Sequence, residues 1–222
     1  MSNITAEIGL KGILSQTSVT NENEIVKEPN VIQKDQIGLN TKSRIISFSK
    51  IFEDKVEGTV LLIGDSLARG VGSHLKTQHV MFESQAFGGA RIEDITKKVE
   101  DMEDKAGSHI VVMVGTNNLK SDGTELIMSK YKDLVRQLKA GCFRKITMVG
   151  ILSRNDLSNY NDSKRMAMNI QLKELCVQNS IEFLEIRIVK EKMLDRKGLH
   201  LNFSGQDTVA RCIFKHCLKF LN

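Results

Sequence analysis

Residues 59–70 read TVLLIGDSLARG, and the fold class turns on them. Thr59–Ile63 is a short, unbroken apolar run, closed by Gly64 and followed at once by polar residues. A run of that length without polar alternation suits a strand buried on both faces, as in a parallel sheet covered by helices. Ile110–Val114 (IVVMV) and Ile146–Val149, with Ile151 beyond, have the same texture, and Val80–Phe82 and Ile181–Ile186 are weaker strand candidates. Helical patterns lie between them. Glu125–Ala140 places Leu126, Met128, Tyr131, Leu134, Val135 and Leu138 mostly on one face, and Gly141 stops it. Ser163–Gln178 repeats the scheme with Met166, Met168, Ile170, Leu172, Leu175 and Cys176. Ser204 reads as the N-cap of a last helix through Val209, Ile213 and Leu218. Strand–helix alternation of this kind means βαβ units and a doubly wound α/β sheet.

The 222 residues of the whole chain hold one sizeable α/β domain and an appendage. Residues 1–55 are polar and mixed (NENEIVKEPN, VIQKDQIGLN), without a sustained period, and read as an arm or linker; residues 56–222 are the expected domain. Lys and Arg number 32 against 27 Asp and Glu, a net charge of +5 that favours acidic partners, anionic lipid or nucleic acid. It falls short of the concentrated basic stripe of a dedicated nucleic-acid module, and neither an RNP-like motif nor a zinc knuckle accompanies it. Cys142, Cys176, Cys212 and Cys217 form no CxxC pair, so a zinc site is not expected, and Cys176 and Cys212 read as small core residues. The Met1 segment lacks the apolar core of a signal peptide, and no run approaches the ~18 apolar residues that span a bilayer. A reducing, cytoplasmic setting is the expectation.

In a doubly wound sheet, ligands bind outside the carboxyl ends of the strands, so the residues just beyond each strand carry the functional signal. After the first comes Gly64-Asp65-Ser66, which puts Ser66 at a helix N-terminus, where free N–H groups favour developing negative charge. Alone, Ser66 reads more readily as a helix cap. After the second comes Phe87-Gly88-Gly89-Ala90, whose glycines let the backbone approach a ligand, although a simple turn explains them as well. After the third comes Gly115-Thr116-Asn117-Asn118, where an Asn side chain can donate to an oxyanion or close an Asx-turn. Near the C-terminus, Asp195 precedes His200, a carboxylate and imidazole suited to orienter and base. His74 and His79 read as solvent-facing, and His109 and His216 show no partner that would make either a base.

The order of these blocks resembles the SGNH (GDSL-type) hydrolase family over Thr59 to about Leu221. The resemblance implies a flavodoxin-like three-layer α/β/α fold with a mainly parallel five-stranded sheet. It also implies a serine esterase with Ser66 as nucleophile and His200 as general base. The implied oxyanion hole is the Ser66 and Gly89 amides with the Asn117 side chain, and no metal or cofactor is called for. The stretches GTVLLIGDS, VVMVGTNN and GLHLNFSGQ look like the esterase domain in the first open-reading-frame protein of LINE-type retrotransposons. That likeness would place any nucleic-acid contact in regions outside this chain, and oligomerisation in the N-terminal arm.

One position departs from the family pattern. Lys197 stands three residues before His200, where the family has Asp, and a lysine cannot accept the imidazole N–H. Asp195, five residues before His200, is therefore the expected third member, with Gly198 giving the loop its freedom; the alternative is a Ser–His dyad aided by a backbone carbonyl. Acyl esters of lipids, acetylated and short-chain ones included, are the expected substrates. Ser153–Asp162 (SRNDLSNYND) reads as a polar, mobile rim to the pocket. The basic stretch Arg187–Lys197, with Ile188, Val189, Met193 and Leu194 interleaved, reads either as a face for an anionic membrane, which would make the protein peripheral, or equally as an ordinary solvated loop or short helix. The alternative, supported by Lys197, is a catalytically weak or inactive SGNH-fold module that binds lipid or protein.

Overall fold

The computed structural model describes residues 58–75, 80–102 and 107–221; the arm expected over residues 1–55, and His79, lie outside them. Five parallel strands form one sheet: β1 (Gly58–Gly64), β2 (Val80–Ala86), β3 (His109–Met113), β4 (Lys145–Val149) and β5 (Glu182–Leu184), in the order β2-β1-β3-β4-β5. The helices are α1 (Ile92–Glu100), α2 (Thr124–Ala140), α3 (Asn159–Gln178), the short α4 (Lys190–Met193) and α5 (Phe203–Cys217). This is the three-layer α/β architecture expected from the alternating pattern.

The unbroken apolar strands have a direct cause. Leu61, Ile63, Ile110 and Val112 enter the core shared with α1, α2 and α3. Their neighbours Val60, Leu62, Val111 and Met113 enter the second core, shared with α5. Successive side chains of a strand point to opposite faces, so a sheet with a core on each face needs apolar residues at every position.

Several local expectations are corrected. The α3 helix begins at Asn159 with Ser158 as its cap, so the end of the Ser153–Asp162 stretch is helix. Met168, Leu172, Leu175 and Cys176 are buried on α3, whereas Met166 and Ile170 are exposed. Asn202 caps α5 by accepting the Gly205 N–H at 2.9 Å, which leaves Ser204 inside the helix. Cys217 is a fully buried cysteine of the second core, while Cys212 is half-buried. His74 is not solvent-facing: its ring meets Phe203 edge-on with centroids 4.7 Å apart, and its Nδ1 lies 3.8 Å from Asp207.

The strand order places β1 between β2 and β3, so the chain leaves β1 to one side and returns on its other side. Such a switch point opens a crevice at the carboxyl ends of the two flanking strands. Ser66 follows one of them and Asn117 the other.

Candidate active site

The carboxyl end of β1 is held from both sides. Asp65 N–H donates to Met113 O at the end of β3 (3.0 Å), and Phe87 N–H donates to Gly64 O (2.9 Å). Any Cβ on Gly64 would sit 2.2 Å from Met113 O, so no other residue fits this approach. The turn beyond it is a single 3-10 turn, Ser66–Ala68, rather than the longer helix expected. Its cap is Asp65, whose Oδ1 accepts Leu67 N–H at 2.9 Å. The capping task therefore falls to Asp65 and leaves the Ser66 hydroxyl for other work.

Asp65 is itself unusual. Its carboxylate is buried, Oδ2 has no hydrogen-bond partner, and burial pushes its pKa up to about 6. The Leu67 amide and the charges of Arg154 and His200 pull in the opposite direction.

The second and third strand ends are tied to each other. Ala90 N–H closes a turn on Phe87 O (3.2 Å), with Gly89 at φ +73°, in the left-handed region that glycine enters freely. Beyond β3, Tyr131 is wholly buried on α2 and its hydroxyl donates to Val114 O at 2.7 Å. Asn118 is tied into the scaffold. Its Oδ1 accepts Ile92 N–H (3.0 Å), and its Nδ2 donates to Asp122 (2.7 Å) and Glu93 (3.1 Å). Asn117 remains half-buried at the crevice, with Nδ2 donating to Ala90 O at 2.9 Å and Oδ1 3.5 Å from Arg154 Nη1.

Asp195 and His200 face each other across a tight loop. Leu194 and Leu201 form an isolated antiparallel bridge, and Asp195 N–H donates to His200 O at 2.8 Å. Gly198, at φ +66°, turns the loop and donates to Asp195 O at 2.8 Å. This brings His200 Nδ1 to 3.3 Å from Asp195 Oδ2, while Asp195 Oδ1 accepts Leu199 N–H at 3.0 Å. The Leu199 amide, then the His200 amide and ring, hold the Asp195 carboxyl below the ordinary carboxylate range. Lys197 sits exposed at the loop's outside.

Among the described residues no hydrogen bond joins Ser66 Oγ to His200; the charge of His200 acts on the neighbouring Asp65 carboxyl, lowering its pKa against the effect of burial. Among the same residues no cluster of three or more His, Cys, Asp or Glu side chains could hold a metal ion.

Two groups escaped the sequence reading. Arg154, in the stretch read as a mobile rim, is 6% exposed, and its Nε and Nη2 hold both oxygens of Asp156 at 2.8 and 2.7 Å. An Arg-x-Asp step inside an otherwise polar stretch was the available signal. In the stretch read as a membrane face, Met193 and Leu194 are buried in the domain, so they are not free to meet a membrane.

Compared by sequence, the chain matches no protein family and no curated protein. Compared by structure, it shares its fold with GDSL-type hydrolases. A GDSL-like lipase from Bacteroides thetaiotaomicron superposes with a TM-score of 0.61 at 16% identity, over 75% of this chain and 90% of that one. An acetyl xylan esterase gives 0.61 at 18% identity, over 71% and 98%. A psychrotrophic esterase from Pseudoalteromonas sp., inhibited by monoethylphosphonate, gives 0.57 at 14% identity, over 75% and 100%.

Proposed function

We propose that the protein is a serine esterase of the SGNH class, acting on acyl esters through a covalent acyl-enzyme. The observation that carries the reading is the His200–Asp195 contact of 3.3 Å, in a chain whose Ser66, Gly89 and Asn117 follow the carboxyl ends of β1, β2 and β3. That contact supports Asp195 as the orienter, a role Lys197 could not fill, and it favours the esterase over an inactive binding module.

In the first step His200 takes the Ser66 proton as Oγ attacks the ester carbonyl. The tetrahedral oxyanion is stabilised by the Ser66 and Gly89 N–H groups and by the Asn117 amide. His200 then returns the proton to the leaving alcohol, and the acyl group stays on Ser66. Water, deprotonated by His200, attacks the acyl-enzyme; the acyl–Oγ bond then breaks, His200 returns the proton to Ser66 Oγ, and the acid is released. Throughout, Asp195 holds the imidazole by Nδ1 and stabilises its protonated form. Each bond made or broken is accounted for by Ser66, His200, the ester and water, so the scheme calls for no cofactor.

Lipid esters, phospholipids and acetylated lipids among them, are the substrate class we favour. Arg187, Lys192, Arg196 and Lys197 are exposed beside the His200 loop, and Val189 and Phe203 expose apolar surface close by in the chain. Cations flanking exposed apolar side chains suit an anionic interface. No helix among the described residues is long and apolar enough to cross a membrane. The likeness of GTVLLIGDS, VVMVGTNN and GLHLNFSGQ to the LINE esterase domain suggests a retrotransposon-encoded protein acting in the cytoplasm.

Hydrolysis of p-nitrophenyl acetate by wild type and by Ser66→Ala tests the central claim, with a phosphonate ester and mass spectrometry to locate the labelled residue. Loss of turnover in Ser66→Ala and a phosphonate adduct on Ser66 are expected. Full activity in Ser66→Ala, or no turnover in wild type, would overturn it.

A further inference from the structure

The Asn117 carboxamide can serve an oxyanion only if it presents nitrogen rather than oxygen to the crevice. A side-chain amide rotated by a half turn exchanges a donor for an acceptor at almost no change in shape, so something must select the orientation. Two contacts meet at this amide. Nδ2 donates to the carbonyl of Ala90, the residue after Gly89, at 2.9 Å. Oδ1 faces Nη1 of Arg154 at 3.5 Å. In the rotated form both contacts would oppose like with like: the guanidinium N–H would meet an NH2, and the Ala90 carbonyl would meet an oxygen.

The guanidinium is well placed for this task. It is buried at 6% exposure, and its planar fork is fixed by Asp156, which takes Nε at 2.8 Å and Nη2 at 2.7 Å. Burial alone would raise the Asp156 pKa, but hydrogen bonds from Arg154 and Lys120 outweigh it and keep the carboxylate charged. With Nε and Nη2 committed to Asp156, Nη1 is the guanidinium nitrogen directed at Asn117.

We propose that Arg154 is a positioning residue of the oxyanion pocket, holding Asn117 in the orientation that leaves one Nδ2–H free for the developing oxyanion. This rests on the esterase reading above. The bound cation also draws electron density towards Oδ1 and makes the free N–H a stronger donor. A second tie brings the same loop to the base: Asn155 N–H donates to Gly198 O at 2.9 Å, so the segment that orients Asn117 also braces the loop carrying His200.

The test is a double-mutant cycle on the full chain with p-nitrophenyl acetate, using Arg154→Met, Asn117→Ala and the double variant. It is joined by the 15N–1H spectrum of the Asn117 side-chain amide in wild type and Arg154→Met. Loss of an oxyanion donor costs roughly 10²–10³ in turnover, so misorienting it should cost about 10- to 100-fold in kcat with KM within about two-fold. In the Asn117→Ala background the Arg154 substitution should then cost under about three-fold, because its target is gone. The Asn117 amide pair should shift in Arg154→Met. If that variant fails to fold, Arg154→Lys takes its place, keeping the charge without the fork. The same kcat loss in both backgrounds, or a loss confined to KM, would overturn the proposal, the latter in favour of direct contact between Arg154 and substrate. A wild type without Ser66-dependent hydrolysis sinks the esterase reading instead. The amide spectrum still decides on Arg154, since unchanged Asn117 resonances refute the positioning role.

Discussion

At neutral pH the ionised Asp65 carboxylate weighs against the fold, and replacing it with asparagine is expected to stabilise the protein in a pH-dependent way. Asp65 is 1% exposed, with Oδ1 bonded to Leu67 N–H and Oδ2 without a partner. Burial raises its pKa from 3.8 to about 6, against the opposing pull of Arg154 and His200. A rise of that size corresponds to about 3 kcal/mol of differential interaction between the protonated and ionised forms. The folded state binds the proton more tightly than the unfolded state, so between about pH 4 and pH 6 it carries more protons. Stability therefore falls as pH rises through this window and levels off above the folded pKa. In Asp65→Asn the amide oxygen still accepts from Leu67, and the side chain no longer titrates.

The difference in unfolding free energy between Asp65→Asn and wild type should thus grow by about 2 kcal/mol from pH 4 to pH 7, equivalent to roughly 4–8 °C in Tm. Urea unfolding of both proteins at half-unit steps across that range measures it. Any pH-independent effect of the new amide shifts the whole difference curve and leaves its slope alone. A difference that does not change with pH, or that shrinks as pH rises, would contradict this linkage. Turnover should move the other way, because the ionised carboxylate attracts the His200 charge and so favours the imidazolium that forms during acyl transfer. A more stable and less active variant is the expected pairing where a site keeps a charge the fold would discard.

Removing the orienter by Asp195→Ala should lower kcat by roughly 10²-fold, below the ~10⁴ seen where a triad carboxylate is fully buried, because His200 and Asp195 are 45% and 34% exposed. Steady-state hydrolysis with KM reported separately checks this, and an unchanged kcat would leave Ser66 and His200 as a dyad. Tyr131→Phe removes the hydrogen bond to Val114 O inside the core and should cost about 1 kcal/mol, or roughly 2–4 °C in Tm. It should also lower kcat, because Gly115–Asn117 comes directly after that carbonyl. Thermal unfolding unchanged within error would remove Tyr131 from the support of the crevice.

The sheet was legible because a strand with a core on each face needs no alternation, and Val60–Ile63 and Ile110–Met113 meet that need residue by residue. Helix faces were read less well. Met166 and Ile170 fit the apolar period of α3 as naturally as Met168 and Leu172, yet they face solvent, since spacing identifies a helix more securely than it identifies which stripe is covered. The cap at Ser66 was misplaced by one residue because Asp and Ser are both strong caps and stand side by side in Asp65-Ser66. Arg154 was missed for a related reason. Its stretch is polar throughout, and composition does not distinguish a solvated arginine from one buried on a carboxylate two residues away.

The Asp195 position shows how a carboxylate–imidazole contact can form without the spacing that the resemblance implies. The family pattern puts the carboxylate three residues before the histidine, and here Lys197 occupies that place. The loop from Leu194 to Leu201 closes instead as a narrow antiparallel turn, with Asp195 N–H bonded to His200 O and Gly198 at the turn. Residues paired across such a turn bring their Cβ atoms within about 4.5–5.5 Å on one face, which is the separation a carboxylate needs to reach an imidazole. Gly198 is what permits it. Its φ of +66° suits glycine, and any Cβ there would lie 2.4 Å from Asn155 Cβ, against the loop that carries Arg154. A three-residue spacing and a five-residue spacing with a glycine turn are thus two backbone routes to one side-chain contact. Lys197, displaced to the outside of the turn, is relieved of any duty toward His200 and joins the exposed cations beside the crevice.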